Sequence, residues 1–174
     1  DIIKKEFKIM TYNIFLSDVA ENLLCEFKLG SDHTITSTSS FNDTVPISTI
    51  SGDSNVTLSS NIITLPAGYE FLVRFFLGVE RTSINTYIYS KLHYSDGSTI
   101  ENATTAKING INGNSSSIEE TNAVIDTLNG SKSIIIKANK STSDVTKITD
   151  SISYGIILGF KKWLIQLIIN ILVN

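Results

Sequence analysis

Apolar and polar residues alternate with a period of two along much of this chain, and a helical period is nearly absent. The clearest run extends from Tyr69 to Glu80. Successive side chains of a strand point to opposite faces, so this run predicts one long strand. The aromatic and aliphatic residues that share one of its faces are Tyr69, Phe71, Val73 and Phe75.

The other face of this predicted strand is also partly apolar. Leu72 and Phe76 lie there beside Glu70 and Arg74. A strand with one face in water does not usually carry such residues on both faces. We therefore expect burial on both sides, as between the sheets of a sandwich or at a subunit interface.

Further short runs of β-forming residues follow at regular intervals, separated by turn signals. Asp96-Gly97 and Asn129-Gly130 are strong hairpin dipeptides, and they predict two hairpins. The pattern predicts an all-β fold, a sandwich or a barrel. The predicted strands are 56–58, 62–65, 85–94, 99–101, 123–128, 133–138 and 152–163.

Other segments are less regular. Residues 31–55 are polar and predict edge strands, with Pro46 at an edge or a strand end. Residues 16–27 fit a short helix capped by Ser17 or Asp18, and fit a strand equally well. Residues 102–117 predict a polar loop.

The apolar tail after Trp163 reads as a strand with one apolar face or as a helix with a polar ridge. It is too short to span a bilayer, and we expect it to be buried against neighbouring subunits. Residues 1–15 contain no apolar signal sequence, and Met10 is a candidate initiator.

Composition narrows the class of protein. With 174 residues the chain has the length of one domain. The net charge is −3, and Lys and Arg form no cluster beyond Lys4-Lys5 and Lys161-Lys162, which disfavours a nucleic-acid partner. Charged residues make up 18% of the chain, below the usual quarter. Cys25 is the single cysteine, so an intramolecular disulfide is excluded. This fits assembly in the cytosol better than a small secreted scaffold.

No residue pattern predicts catalysis or a cofactor. His33 and His93 have no further ligand at zinc spacing, and Cys25 has the apolar flanks of a buried, unreactive thiol. No Gly-x-Ser-x-Gly elbow is present. Loop carboxylates such as Asp96, Glu101, Asp144 or Asp150 are conceivable calcium ligands, but they lack EF-hand spacing. We expect no enzyme, no cofactor and no metal.

From residue 55 to 162 the order of features resembles the TNF/C1q-like jelly roll, in the versions found in bacteriophage fibre and head proteins. The landmarks are Leu65-Pro-Ala-Gly-Tyr69, Thr86-Tyr-Ile-Tyr89, Ala123-Val-Ile-Asp-Thr127, Ser133-Ile-Ile-Ile136 and Ser153-Tyr-Gly-Ile-Ile-Leu158. The resemblance implies an antiparallel β-sandwich over 55–163. The extension with edge strands over 1–54 and the apolar tail over 164–174 lie outside the family pattern.

The resemblance also implies a homotrimer that packs aromatic strand faces around a threefold axis. The residues expected in the core or the trimer interface are Tyr69, Phe71, Phe75, Tyr87, Tyr89 and Tyr154. The outward recognition loop would contain Asn109, Asn112 and Asn114.

The function implied is that of a virion structural protein: a fibre, spike or capsid decoration domain on a phage particle. Its partners would be other virion proteins and a glycan or protein of the host surface, which would make it an attachment domain. The alternative is a non-viral surface adhesin or carbohydrate-binding module, for which Tyr87, Tyr89 and Tyr94 would form a sugar platform.

Overall fold

The structure is a computed structural model, and it describes residues 22–81, 86–108, 117–142 and 146–161. Within these ranges the chain forms thirteen β-strands, numbered β1 to β13 along the sequence, in two antiparallel sheets. The same ranges contain no helix that is long and apolar enough to cross a membrane.

Sheet A has the strand order β2-β12-β7-β13-β1-β4, and β10 also pairs with β7. Its strands are β1 (Leu23–Leu29), β2 (His33–Thr34), β4 (Ile47–Gly52), β7 (Tyr69–Arg81), β10 (Ser117–Asp126), β12 (Thr146–Ile148) and β13 (Tyr154–Lys161).

Sheet B has the order β5-β6-β11-β8-β9, and β3 pairs with β11. Its strands are β3 (Asp43–Thr44), β5 (Thr57–Ser59), β6 (Ile62–Leu65), β8 (Ile88–Tyr94), β9 (Thr105–Ile108) and β11 (Lys132–Lys140).

The core lies between the inner faces of the two sheets and follows from the period-two pattern. In β1 every second residue is buried and the residues between are exposed. Phe27 from β1 stacks on Phe75 from β7 with ring centroids 6.0 Å apart. Phe71 is fully buried beside them, and Ile134 and Leu92 contribute from sheet B. Burial of these large side chains is the main source of stability.

Several predicted elements are confirmed. The long strand is β7, and the predicted strand over 62–65 coincides with β6. The Asp96-Gly97 turn closes with a hydrogen bond from Tyr94 N to Ser98 O of 3.0 Å, although the return strand is reduced to a bridge between His93 and Thr99.

The hairpin predicted at Asn129-Gly130 is wrong. β10 belongs to sheet A and β11 to sheet B, so the turn carries the chain from one sheet to the other. The backbone of Thr127 explains this, because its N–H donates to Tyr69 O and its carbonyl accepts from Gly68 N, each at 2.9 Å. The end of β10 is thereby held against β7, and the following strand must join the other sheet.

Two further expectations are corrected. The polar loop over 102–117 contains β9, which pairs with β8 and buries Ala106 and Ile108, because its small apolar residues alternate at period two. The helix alternative for residues 16–27 fails over its described part, since β1 begins at Leu23. The apolar tail after Trp163 lies outside the described residues. The chain division at 54 and 163 stays a prediction.

Acid is expected to destabilise this fold. Lys147 Nζ lies 2.6 Å from Asp32 Oδ2, and this hydrogen bond is the main reason why the pKa of Asp32 falls to about 2. Burial alone would raise the pKa of Asp43, but hydrogen bonds from Ser37 and Thr36 outweigh it and lower that pKa. A carboxyl whose pKa is depressed in the folded state stabilises that state above its unfolded pKa of about 3.9, and the contribution is lost as the pH falls.

Urea unfolding between pH 7 and pH 2 tests this expectation. The midpoint should change little down to about pH 4 and then fall towards pH 2. The variant Asp32→Asn should show a shallower fall, because it lacks one of the carboxyl groups whose pKa is lowered in the folded state. If the urea midpoint fell equally steeply with pH in both proteins, the assignment of this effect to Asp32 would be contradicted.

Candidate subunit interface

A continuous row of aliphatic side chains crosses the outer face of sheet A. The strand register places Leu24 of β1 opposite Leu158 of β13, Leu158 opposite Leu72 of β7, and Leu72 opposite Val124 of β10. The outer face of an antiparallel sheet is normally polar where it meets water. Here Leu24 is 59% exposed and Val124 is 44% exposed.

The outward side chains of β13 extend this row in both directions. They alternate with the buried Gly155, Ile157 and Gly159. Phe160 is 47% exposed and Tyr154 is 40% exposed. The four outward residues of β13 are Tyr154, Ile156, Leu158 and Phe160. With Leu24, Leu72, Phe76 and Val124 they form the surface that we call the sheet A apolar face.

Aromatic contacts order one end of the sheet A apolar face. Tyr154 stacks on Phe76 with ring centroids 4.7 Å apart and an interplanar angle of 21°. The guanidinium carbon of Arg74 lies 5.2 Å from the centroid of the Phe76 ring. These contacts restrict the two rings, which would lower the entropy cost of an association through this face.

Two charged residues of this face, Arg74 and Glu120, are paired with each other. Arg74 Nε and Nη2 donate to the two carboxylate oxygens of Glu120 at 2.7 and 2.5 Å, and Asn122 Nδ2 donates to Glu120 Oε1 at 3.0 Å. The hydrogen bond from Arg74 lowers the pKa of Glu120, and the same bond raises the pKa of Arg74. A bidentate pair of this kind can be covered by a partner without leaving a lone charge.

The predicted interface residues fall into three places. Tyr69, Phe71 and Phe75 point into the core. Tyr154 lies on the sheet A apolar face. Tyr87 and Tyr89 lie on the far side of the molecule, where Tyr89 faces Lys107 and Asn139 in the register of sheet B. The predicted recognition loop with Asn109, Asn112 and Asn114 lies outside the described residues.

Sequence reasoning missed Leu24, Leu158, Val124 and Phe160. The alternation in β13 carried a signal, since large apolar residues at 154, 156, 158 and 160 flank the glycines at 155 and 159. Glycines in a strand mark a face that another part of the chain approaches closely. The large apolar residues that alternate with them therefore lie on the outer face.

The residues considered for catalysis or metal binding make contacts within the fold. Cys25 is buried, and burial is the main cause that raises the pKa of its thiol. His93 lies against Phe41 with ring centroids 5.6 Å apart. Asp96 accepts hydrogen bonds from the backbone N–H and hydroxyl of Ser98 within the turn. Among the described side chains no group of three or more His, Cys, Asp or Glu is placed to hold a metal ion.

Comparison with known proteins identifies the fold of this chain but no relative in sequence. No family model matches the chain, and no curated protein matches it in sequence. The solved structures that it resembles include murine APRIL at pH 5.0 (TM-score 0.52, 7% identity, 79% of this chain and 98% of that chain). They also include the Eiger TNF of S. frugiperda (TM-score 0.51, 8% identity, 79% of this chain and 91% of that chain). The predicted antiparallel jelly-roll sandwich of the TNF/C1q type is thereby confirmed.

Proposed function

We propose that this protein is a virion structural protein, a homotrimeric jelly-roll domain on the surface of a virus particle such as a bacteriophage. The observation that carries the proposal is the aliphatic row from Leu24 through Leu158 and Leu72 to Val124. The proposed role is architectural and involves no catalysis.

The sheet A apolar face supports assembly from copies of this chain. Exposed apolar surface that is continuous over four strands marks an interaction site on a soluble domain. The same face carries the Phe76–Tyr154 stack, and the Arg74–Glu120 pair on it neutralises its own two charges. The TNF/C1q-like fold is often trimeric, and a threefold arrangement of such faces would cover the row in every subunit.

The virion setting is supported by the resemblance to phage fibre and head domains and by the cysteine content. The single cysteine is buried, so the domain owes nothing to disulfides and suits assembly in a reducing cytosol. Sheet B would then face outward, where it would meet the host surface.

Light scattering after gel filtration tests the assembly. The expected mass is three times the 19.1 kDa of one chain, and a monomer at micromolar concentration would overturn the proposal. Immunogold labelling of intact particles from the source with an antibody against this domain tests the location. Label confined to cell envelopes would instead favour the second candidate.

The second candidate is a non-viral surface adhesin or carbohydrate-binding module. Tyr87 and Tyr89 favour it, because both rings lie half-buried on the outer face of sheet B, with centroids 6.4 Å apart. Tyr94, the third residue of the predicted sugar platform, packs against the core instead. Tyrosine rings at a surface combine an apolar face with a polar hydroxyl, which suits contact with a sugar.

A further inference from the structure

The outer face of sheet B carries several lysines, and the strand register places two of them side by side. Lys137 of β11 lies directly opposite Lys91 of β8, and Lys91 lies opposite Thr105 of β9. In the next row Tyr89 lies opposite Lys107. Residues that face each other across antiparallel strands have Cβ atoms about 5 Å apart, and like charges in such pairs are destabilising.

This positive charge has no carboxylate partner in the described part of the chain. The ion pairs found there join Arg74 to Glu120 and Lys147 to Asp32, and neither involves the three lysines. The chain as a whole carries a net charge of −3. A concentrated positive patch on a negatively charged protein attracts an anionic ligand to that patch.

Aromatic rings adjoin the patch. Lys107 Nζ lies 4.3 Å from the ring centroid of Tyr87 and 5.9 Å from that of Tyr89. The backbone at Tyr87 is fixed by a hydrogen bond from its N–H to Ser141 Oγ of 2.9 Å. Tyr89 and Lys91 are two residues apart on one strand face, a separation of about 7 Å, so one ligand can contact both side chains.

We propose that Lys91, Lys107 and Lys137, together with Tyr87 and Tyr89, bind a negatively charged carbohydrate. The Tyr89 ring stacks on the apolar face of the sugar, Lys107 lies over the Tyr87 ring at the edge of the site, and Lys91 and Lys137 hold the anionic group of the sugar. The combination favours a charged glycan over a nucleic acid, because a nucleic acid requires a basic stripe along several phosphates. The inference rests on the proposed function, in which sheet A is covered by subunits and sheet B faces outward.

Binding measurements on the full chain test the site, with sialyllactose, a glucuronic-acid oligosaccharide and neutral lactose as probes. The wild type should bind an acidic probe more tightly than lactose. The double variant Lys91→Gln/Lys137→Gln should lose at least about tenfold in affinity for the acidic probe, since each lysine contributes a charge-assisted hydrogen bond. Tyr89→Ala should weaken binding of acidic and neutral probes alike.

The matched control is Lys132→Gln, which removes one lysine from the same strand β11 outside the cluster. It should leave the affinity unchanged. Thermal unfolding should show that each variant remains folded. An equal loss in the control, or no binding of any acidic probe by the wild type, would overturn the inference. Equally tight, Lys91-dependent binding of a DNA duplex or of anionic phospholipid vesicles would also overturn it, because the patch would then be a general anion surface.

Light scattering in the same buffer separates this inference from the proposed function. A trimer that binds no acidic glycan refutes the site and leaves the assembly intact. A monomer that binds the glycan refutes the assembly and leaves the site intact.

Discussion

Leu158→Arg is expected to convert the proposed trimer into a folded monomer. Leu158 lies in the middle of the aliphatic row, between Leu24 and Leu72. Its side chain points away from the core, so a larger polar residue is tolerated in the isolated subunit. In the assembly the arginine would be an unpaired buried charge, which costs about 3–5 kcal/mol in each subunit.

The mass from light scattering gives the result directly, and far-UV circular dichroism shows whether the sheets remain. Thr57→Arg is the matched control, because it places the same charge at an exposed position of β5 in the other sheet. This variant should keep the mass of the wild type. If Leu158→Arg also kept that mass, the sheet A apolar face would not be the subunit interface.

Gly155→Ala is expected to destabilise the domain by about 1–3 kcal/mol, as overpacking of a filled core does. A Cβ atom at this position would lie 1.8 Å from Cζ of Phe27. Phe27 is fully buried and stacks on Phe75, so its ring has no free space into which to move. The urea midpoint of unfolding should fall, with the denaturant slope unchanged.

A double-mutant cycle with Phe27→Leu assigns this cost to the ring. Leucine is shorter, so the alanine methyl group should be accommodated more easily when both substitutions are present. The combined loss in the free energy of unfolding should be smaller than the sum of the separate losses, by about 0.5–3 kcal/mol. Strict additivity would mean that the cost arises from the glycine backbone and not from the contact with Phe27.

The period-two pattern was sufficient for the main elements of the fold. Tyr69 to Glu80 could be identified as one long strand because its alternation extends over many residues. The Asp96-Gly97 turn was also correct, since a dipeptide that accepts positive φ specifies a tight turn locally, and Gly97 has φ of 88°. Neither inference needed information about distant parts of the chain.

The same turn rule failed at Asn129-Gly130. Gly130 does have a positive φ of 147°, so the local prediction of a turn was sound. What the dipeptide does not encode is the partner of the following strand. That partner was decided by hydrogen bonds between Thr127 and the turn before β7, which lies far away in sequence.

The candidate interface could not be predicted from the sequence for the same reason: local pattern does not encode strand pairing. The alternation along each strand divides its residues between two faces, but it does not say which face points to the core or which strands lie side by side. Leu24, Leu72, Val124 and Leu158 come from four separate segments. Their alignment follows from the register between β1, β13, β7 and β10.

The sequence by itself therefore determined the all-β class, the long strand β7 and the absence of an intramolecular disulfide, because each depends on local pattern or composition. Only the tertiary structure decided that Phe71 and Phe75 belong to the core while Leu72 and Phe76 lie on an open face. It also decided that Lys91 and Lys137 lie opposite each other. The physical reason is that strand pairing joins residues through hydrogen bonds across the sheet, and the energies that select the register belong to the whole sandwich.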